Sequence, residues 1–268
     1  MTPRPVRVLT GLLIATAVAT VAVETVNFSS APEHGVGFAV RTGWALVRTL
    51  GWLILISQVR KGRATARPLS VILAMTTLFA VGRLIVSPSG LVGFGVLAML
   101  WLTVVALLHR HRGIGAHLTH LPRRPVLTRE GLSLREAPPG DPWVLTARLA
   151  AFSYSPLMLV PALVAAGTLG HRPEWAFPVI LWILAGIAVS YVALLSAFLL
   201  ARGSGRARRT LVSVTIAVLL FDLPLCRLLL GTDGLIRDGA PLVAAAALTL
   251  YALRRAAASP RVLLDDHC

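Results

Sequence analysis

Apolar residues run along this chain in long blocks, cut by short clusters of Arg, Gly, Pro and polar residues. A helix needs roughly 20 apolar residues to cross the hydrocarbon core of a bilayer. Marking every run of that order gives eight spans, at about 8–28, 38–58, 69–86, 91–108, 143–169, 175–200, 210–230 and 235–253. The pattern predicts an all-α integral membrane protein, an eight-helix transmembrane bundle. Its third and fourth helices should form a tight hairpin through Ser87-Pro88-Ser89-Gly90, since Pro and Gly in so short a break interrupt a helix.

Composition agrees with the pattern. The 268 residues are 56% hydrophobic and 14% charged, with a mean hydropathy of +0.77, whereas soluble domains carry about 25% charge. Too little polar surface remains to cover a water-soluble particle.

Charge then supplies an orientation. Nineteen of the 26 Lys+Arg fall on one set of alternate segments: the N-terminal tail, the loops around Arg60–Arg67, Arg110–Arg135 and Arg202–Arg209, and the C-terminal tail. Arg41, Arg172 and Arg237 lie on the other side, and Arg48, Arg83, Arg148 and Arg227 inside spans. By the positive-inside rule this is a multi-pass cell-membrane protein with both termini cytoplasmic. A rival reading makes the N-terminus a cleaved signal peptide, with Arg4 and Arg7 before the apolar run from Val8 to Val23; it would leave seven spans. The basic loops need no nucleic acid as partner, because an anionic inner leaflet of the lipid bilayer satisfies them.

A shift of 141 to 144 residues brings Pro32-Glu33 onto Pro173-Glu174, Gly62–Val71 onto Gly205–Val214, and Arg83–Leu91 onto Arg227–Leu235. With an even number of spans in each half, these would be two parallel four-helix repeats. The division is then 1–112 for the first four-helix half, 113–142 for a cytoplasmic linker loop and 143–268 for the second half. The linker's one candidate helix is near Arg129 to Glu136.

Ionisable groups inside spans are costly and by default face the bundle interior or a water-filled cavity. Glu24 and Asp222 are read as the only acids in spans. Thr16, Thr20, Glu24 and Asn27 share one helical face, as do Arg41, Trp44, Arg48 and Trp52, where indole rings can stack on guanidinium planes. Thr76, Phe79 and Arg83 repeat the spacing. On a rise of ~1.5 Å per residue, Glu24, Arg41, Arg83 and Arg227 sit about 4 to 6 Å from the outer span ends, and Arg48 and Asp222 about 15 and 12 Å. The shallow arginines can snorkel to headgroups, Arg148 can snorkel inward, and the similar depth of Arg48 and Asp222 predicts that they touch. Pro224 frees a carbonyl near Leu220 beside them.

Four arginines of the outer half against two acids leave a positive surplus, and an unpaired buried charge is expensive. The residues therefore imply an outward-facing polar intramembrane cavity that binds or transports a small anionic or amphiphilic compound. Arg48, Arg83 and Arg227 would engage the anion, Trp44, Trp52 and Asn27 would complete the ligand-binding set, and Glu24 and Asp222 would be counter-charges or proton carriers. A buried ion-pair lattice that only orients the helices is the structural counterpart. The functional alternative is an intramembrane enzyme on a lipophilic substrate, such as an acid-initiated terpenoid cyclase with Glu24 or Asp222 as catalytic acid and Trp44, Trp52, Phe79 and Phe221 as walls.

Other chemistry is set aside. His109, His111, His117 and His120 cluster among arginines that repel a cation, so no metal is expected. No histidine lies deep in a span to ligate haem. Ser89 reads as turn chemistry, no phosphate-cradling or aspartate-rich motif is present, and the single lysine, Lys61, lies in a loop. No cofactor is implied. Cys226 reads as a small buried thiol, and Cys268 gives it no disulfide framework.

Overall fold

The computed structural model describes residues 4–29, 35–82, 88–118, 123–128, 131–136, 141–201 and 204–258. Its helices are α1 (Arg4–Ser29), α2 (Val36–Arg60), α3 (Ala66–Val81), α4 (Pro88–Arg110), α5 (Arg112–His117), α6 (Pro142–Phe152), α7 (Tyr154–Ala166), α8 (Ala176–Ala201), α9 (Gly205–Gly234) and α10 (Ala240–Ala258). Six helical segments are long and apolar enough to cross a membrane, one of them running over the 54 residues of Gly205–Ala258, while Ala66–Val81 is a shorter apolar helix. These segments leave large apolar side chains exposed, among them Leu46, Val92, Leu102, Phe177, Tyr191, Leu195 and Leu220. A surface of that kind is stable in lipid and not in water, as expected of a helical membrane protein.

Local chemistry sets the ends. Asp141 caps α6 by accepting from Trp143 N–H at 2.8 Å, with Pro142 in the first turn, where its missing N–H costs nothing. α2 ends where Gly62 takes φ 68°; Gly62 N–H then donates to Val59 C=O at 3.1 Å and Arg63 N–H to Gln58 C=O at 3.0 Å. This pair of bonds satisfies the last carbonyls of the helix, and only glycine reaches the left-handed backbone without strain.

Three expectations shift. The segment near Arg129 to Glu136 is not helical where described: β1 (Arg123–Thr128) and β2 (Gly131–Glu136) pair antiparallel, Arg123 opposite Glu136. Val126 and Leu127, like Leu132 and Leu134, sit in runs too short for a helical face, which a two-stranded ladder accommodates. Pro88, Ser89 and Gly90 belong to the first turn of α4 and do not make the expected break; Ser87, the first residue of that expected turn, lies outside the described residues. The fifth span is two helices, interrupted at Ser153, whose hydroxyl donates to Ala150 C=O at 2.6 Å.

Buried apolar residues form two clusters. One draws on positions from Val6 to Leu118 and the other on positions from Ala147 to Leu253, with Trp44 of α2 packed against the second. α1 packs on α2 and α4, and α3 on α4; α7 packs on α8, α8 on α9, and α10 on α6. The clusters meet where α2 packs on α7 and where α10 reaches α3. At the first contact a Cβ on Gly167 would lie 3.0 Å from Val36 Cβ and 3.2 Å from Gly37 N. Glycine there permits the close approach of the two backbones.

Candidate functional site

Polar side chains collect at the end of the bundle that holds the C-terminus of α1, the N-terminal half of α2 and the join between α9 and α10. On α1 the expected stripe faces inward: Thr16, Thr20 and Glu24 are 0%, 2% and 6% exposed. Both threonine hydroxyls return a hydrogen bond to the preceding turn, Thr16 to Leu12 C=O and Thr20 to Thr16 C=O, each at 2.8 Å, which leaves them no unmet donor in an apolar setting. Asn27 continues the helix, but its side chain is outside what the structure describes.

Along α2 the residues at helical spacing behave as one face. Arg48 is buried, its guanidinium carbon 5.6 Å from the centre of the Trp44 ring, and Trp52 is buried a turn further on. The partner of Arg48 is Glu24, joined through NH2 and Oε1 in a buried ion pair. The expected contact between Arg48 and Asp222 is therefore a misreading. α1 and α2 are consecutive helices packed side by side, so two long side chains meet across their interface despite unequal depths.

Asp222 has its own shell. It is fully buried on α9, accepts from Trp182 Nε1 on Oδ1 at 2.8 Å, and accepts from Cys226 Sγ on Oδ2 at 3.5 Å. No cation forms an ion pair with it among the described residues. Cys226, read as a small buried thiol, is buried and is also a hydrogen-bond donor four residues along the same helix. Nearby in this half, Tyr154 and Thr215 hydroxyls share a buried hydrogen bond of 3.0 Å.

The sequence reading missed Asp238. Helix α9 breaks at Gly231, where φ is 73° and ψ −164°, a region essentially reserved for glycine. A π-helical turn over Leu235–Gly239 follows and carries the chain into α10 without leaving the bundle. Asp238, on that turn, is 9% exposed and pairs with Arg41 at 3.6 Å. Arg237 is half-buried beside it, within electrostatic range of Arg41, Glu24, Asp238 and the exposed Asp233. Asp238 lies within the eighth run, 235–253, beside Arg237 at its outer end. The signal that could have found it is that position: an acid inside an apolar run, close to the depth of Arg41.

Other sequence candidates are not brought to the cluster. Arg227 is exposed on α9, and no ion pair or hydrogen bond among the described residues links it to Glu24, Arg41 or Arg48. Arg83 is outside the described residues. Arg148 is half-buried, with its Nε buried and unpartnered.

The cluster is rich in donors. Nε and NH1 of Arg48, NH1 of Arg41 and Nε1 of Trp52 are all buried without an acceptor in the described protein. Three guanidinium groups, of Arg41, Arg48 and Arg237, stand against the two carboxylates of Glu24 and Asp238. Buried N–H groups normally find partners, and leaving one unmade costs about 1–3 kcal/mol. An oxyanion would satisfy several at once and cancel the remaining charge. Among the described residues no group of three or more His, Cys, Asp or Glu comes together as a metal site would require. No protein family, curated protein or solved structure matches this chain.

Proposed function

We propose that the chain is an eight-span cell-membrane protein, with both termini cytoplasmic, that binds or transports a small anion at the Glu24, Arg41, Arg48, Arg237 and Asp238 cluster. The observation that carries this reading is the set of buried, acceptor-free N–H groups on Arg41, Arg48 and Trp52. They lie on one face of α2, as an anion site built on a rigid helix requires. With the exposed Asp233 left aside, the excess of one guanidinium over buried carboxylates favours a singly charged ligand. Glu24 and Arg48 are 6% and 3% exposed, so admission requires the α9–α10 join to part from α1 and α2.

Eight crossings are supported by length. At ~1.5 Å per residue, the 54 residues of Gly205–Ala258 are long enough to cross twice, and Gly231 with the π turn supplies the reversal. Helix α3 would be the short eighth span. Two separate apolar clusters, from the first and second halves of the chain, favour the two-half organisation.

The cyclase alternative asks for a carboxylic acid free to protonate an alkene or epoxide. Glu24 is engaged by a guanidinium and Asp222 is closed in by Trp182 and Cys226, so neither is placed for that step. The test is to extract and identify, by mass spectrometry, the small molecules that co-purify with the full chain in detergent. It is run beside Arg41→Gln, which keeps hydrogen-bonding capacity at a position 20% exposed and whose thermal midpoint is measured alongside. An anion retained by the wild type and lost from the variant supports the proposal. An isoprenoid, or an anion bound equally by both, overturns it.

A further inference from the structure

At the C-terminal end of α2, far from the polar cluster along the same helix, a pocket of about 410 Å³ is lined by Leu53, Ile56, Ser57, Arg60 and Lys61. Its wall changes character along the helix axis. Leu46, Leu50 and Leu53 are 62%, 58% and 55% exposed and recur with Ser57 and Arg60 at helical spacing, so one outward stripe runs from aliphatic through hydroxyl to cationic. From Leu46 to Lys61 that stripe is roughly 22 Å long.

The cations at its end stand on a capped backbone and have no carboxylate partner among the described residues. Arg60 closes the helix and Lys61 is its cap, held by the bonds that Gly62 allows. No carboxylate pairs with either among the described residues, and the sequence contains no acid at all between Glu33 and Glu130. Arg67 nearby is used differently, donating from Nε to the Leu108 carbonyl at 3.1 Å. The first half of the chain thus presents two cations at a helix end, beside an exposed apolar track, with no carboxylate paired to either among the described residues.

We propose that this end of α2 binds one acidic phospholipid, its phosphate between Arg60 and Lys61, its glycerol region at Ser57 and an acyl chain along Leu53, Leu50 and Leu46. The match is of both chemistry and length. A free phosphate would use the cations and leave the aliphatic track idle. A zwitterionic lipid would bring its own cation against them.

Native mass spectrometry of the delipidated full chain, titrated with phosphatidylglycerol or phosphatidylcholine, tests the site. The wild type should retain one phosphatidylglycerol in clear preference to phosphatidylcholine, and inorganic phosphate in excess should not displace it. Each cation near an anionic headgroup contributes a factor of about five, so Arg60→Gln with Lys61→Gln should bind roughly thirtyfold more weakly. Arg208→Gln with Arg209→Gln, two exposed cations on α9, should bind as the wild type does. Equal retention of the two lipids, displacement by phosphate alone, or the same loss in the α9 variant would each overturn the proposal. The lipid comparison on the wild type decides even where a variant fails to accumulate.

Discussion

Removing Glu24 asks more of this protein than removing any other single carboxylate described above. Arg48 is 3% exposed, its Nε and NH1 already lack acceptors, and NH2 has Glu24 as its ion-pair partner. Glu24→Leu would therefore leave a whole guanidinium charged, buried and without a bonded acceptor. Breaking a buried pair from one side costs about 3–5 kcal/mol, and Arg48→Leu should cost a similar amount by stranding Glu24. For a chain of this size that is a fall in midpoint temperature of roughly 6–20 °C. The double variant, Glu24→Leu with Arg48→Leu, removes both charges and replaces them with apolar volume, which is neutral or stabilising in comparable buried pairs. It should recover most of the loss. Thermal unfolding of the four proteins in one detergent closes the cycle, and the recovery is the coupling between the two side chains. A single Glu24→Leu that melts within about 2 °C of the wild type, or a double variant worse than both singles, would refute the assignment of Glu24 and Arg48 as each other's principal partners.

Three further outcomes are expected. Asp222→Asn keeps an oxygen for Trp182 Nε1 and should be tolerated, whereas Asp222→Leu leaves that buried indole N–H unsatisfied and should cost about 1–3 kcal/mol in thermal stability. Gly231→Ala meets no steric obstacle in the surrounding protein, yet its backbone should impose about 1–3 kcal/mol of strain, read as a lower midpoint and a disturbed Arg41–Asp238 pair; an unchanged melting curve would contradict the bend. In a Cys268→Ser background, Arg172→Cys should react with an impermeant thiol reagent added outside intact cells and Arg63→Cys should not, and the reverse pattern would invert the proposed topology.

Much of the helical framework is legible in the sequence because a bilayer imposes length and hydropathy directly. The Thr16, Thr20 and Glu24 stripe and the stacking of Arg48 on Trp44 are equally legible, since both follow from the 3.6-residue repeat within one helix. Contacts between helices are less so. Matching Arg48 to Asp222 by depth ignored that sequential helices are usually neighbours, and that two long side chains can bridge a difference in depth of roughly 10 Å. Asp238 escaped for another reason. It sits with Arg237 at the outer end of the run 235–253, where charges look like boundary residues, and the glycine bend and π turn that bury it beside Arg41 leave no pattern of their own in the sequence. The break between α6 and α7 at Ser153 did have a signal, Pro156, which cannot donate to the Phe152 carbonyl four residues back, but the continuous apolar run masked it.

The two ion pairs of the cluster differ in what they join. Glu24 and Arg48 both belong to the stretch of chain that builds the first apolar cluster, α1 and α2 being packed side by side. Arg41 and Asp238 come from opposite halves, and at 3.6 Å their charges are only just within pairing distance. A displacement of an ångström or two along the seam would dissolve the second pair while leaving the first untouched. Were the two sets of helices to shift against each other, the Arg41–Asp238 pair would respond before the Glu24–Arg48 pair, and the exposure of a single guanidinium would report the shift.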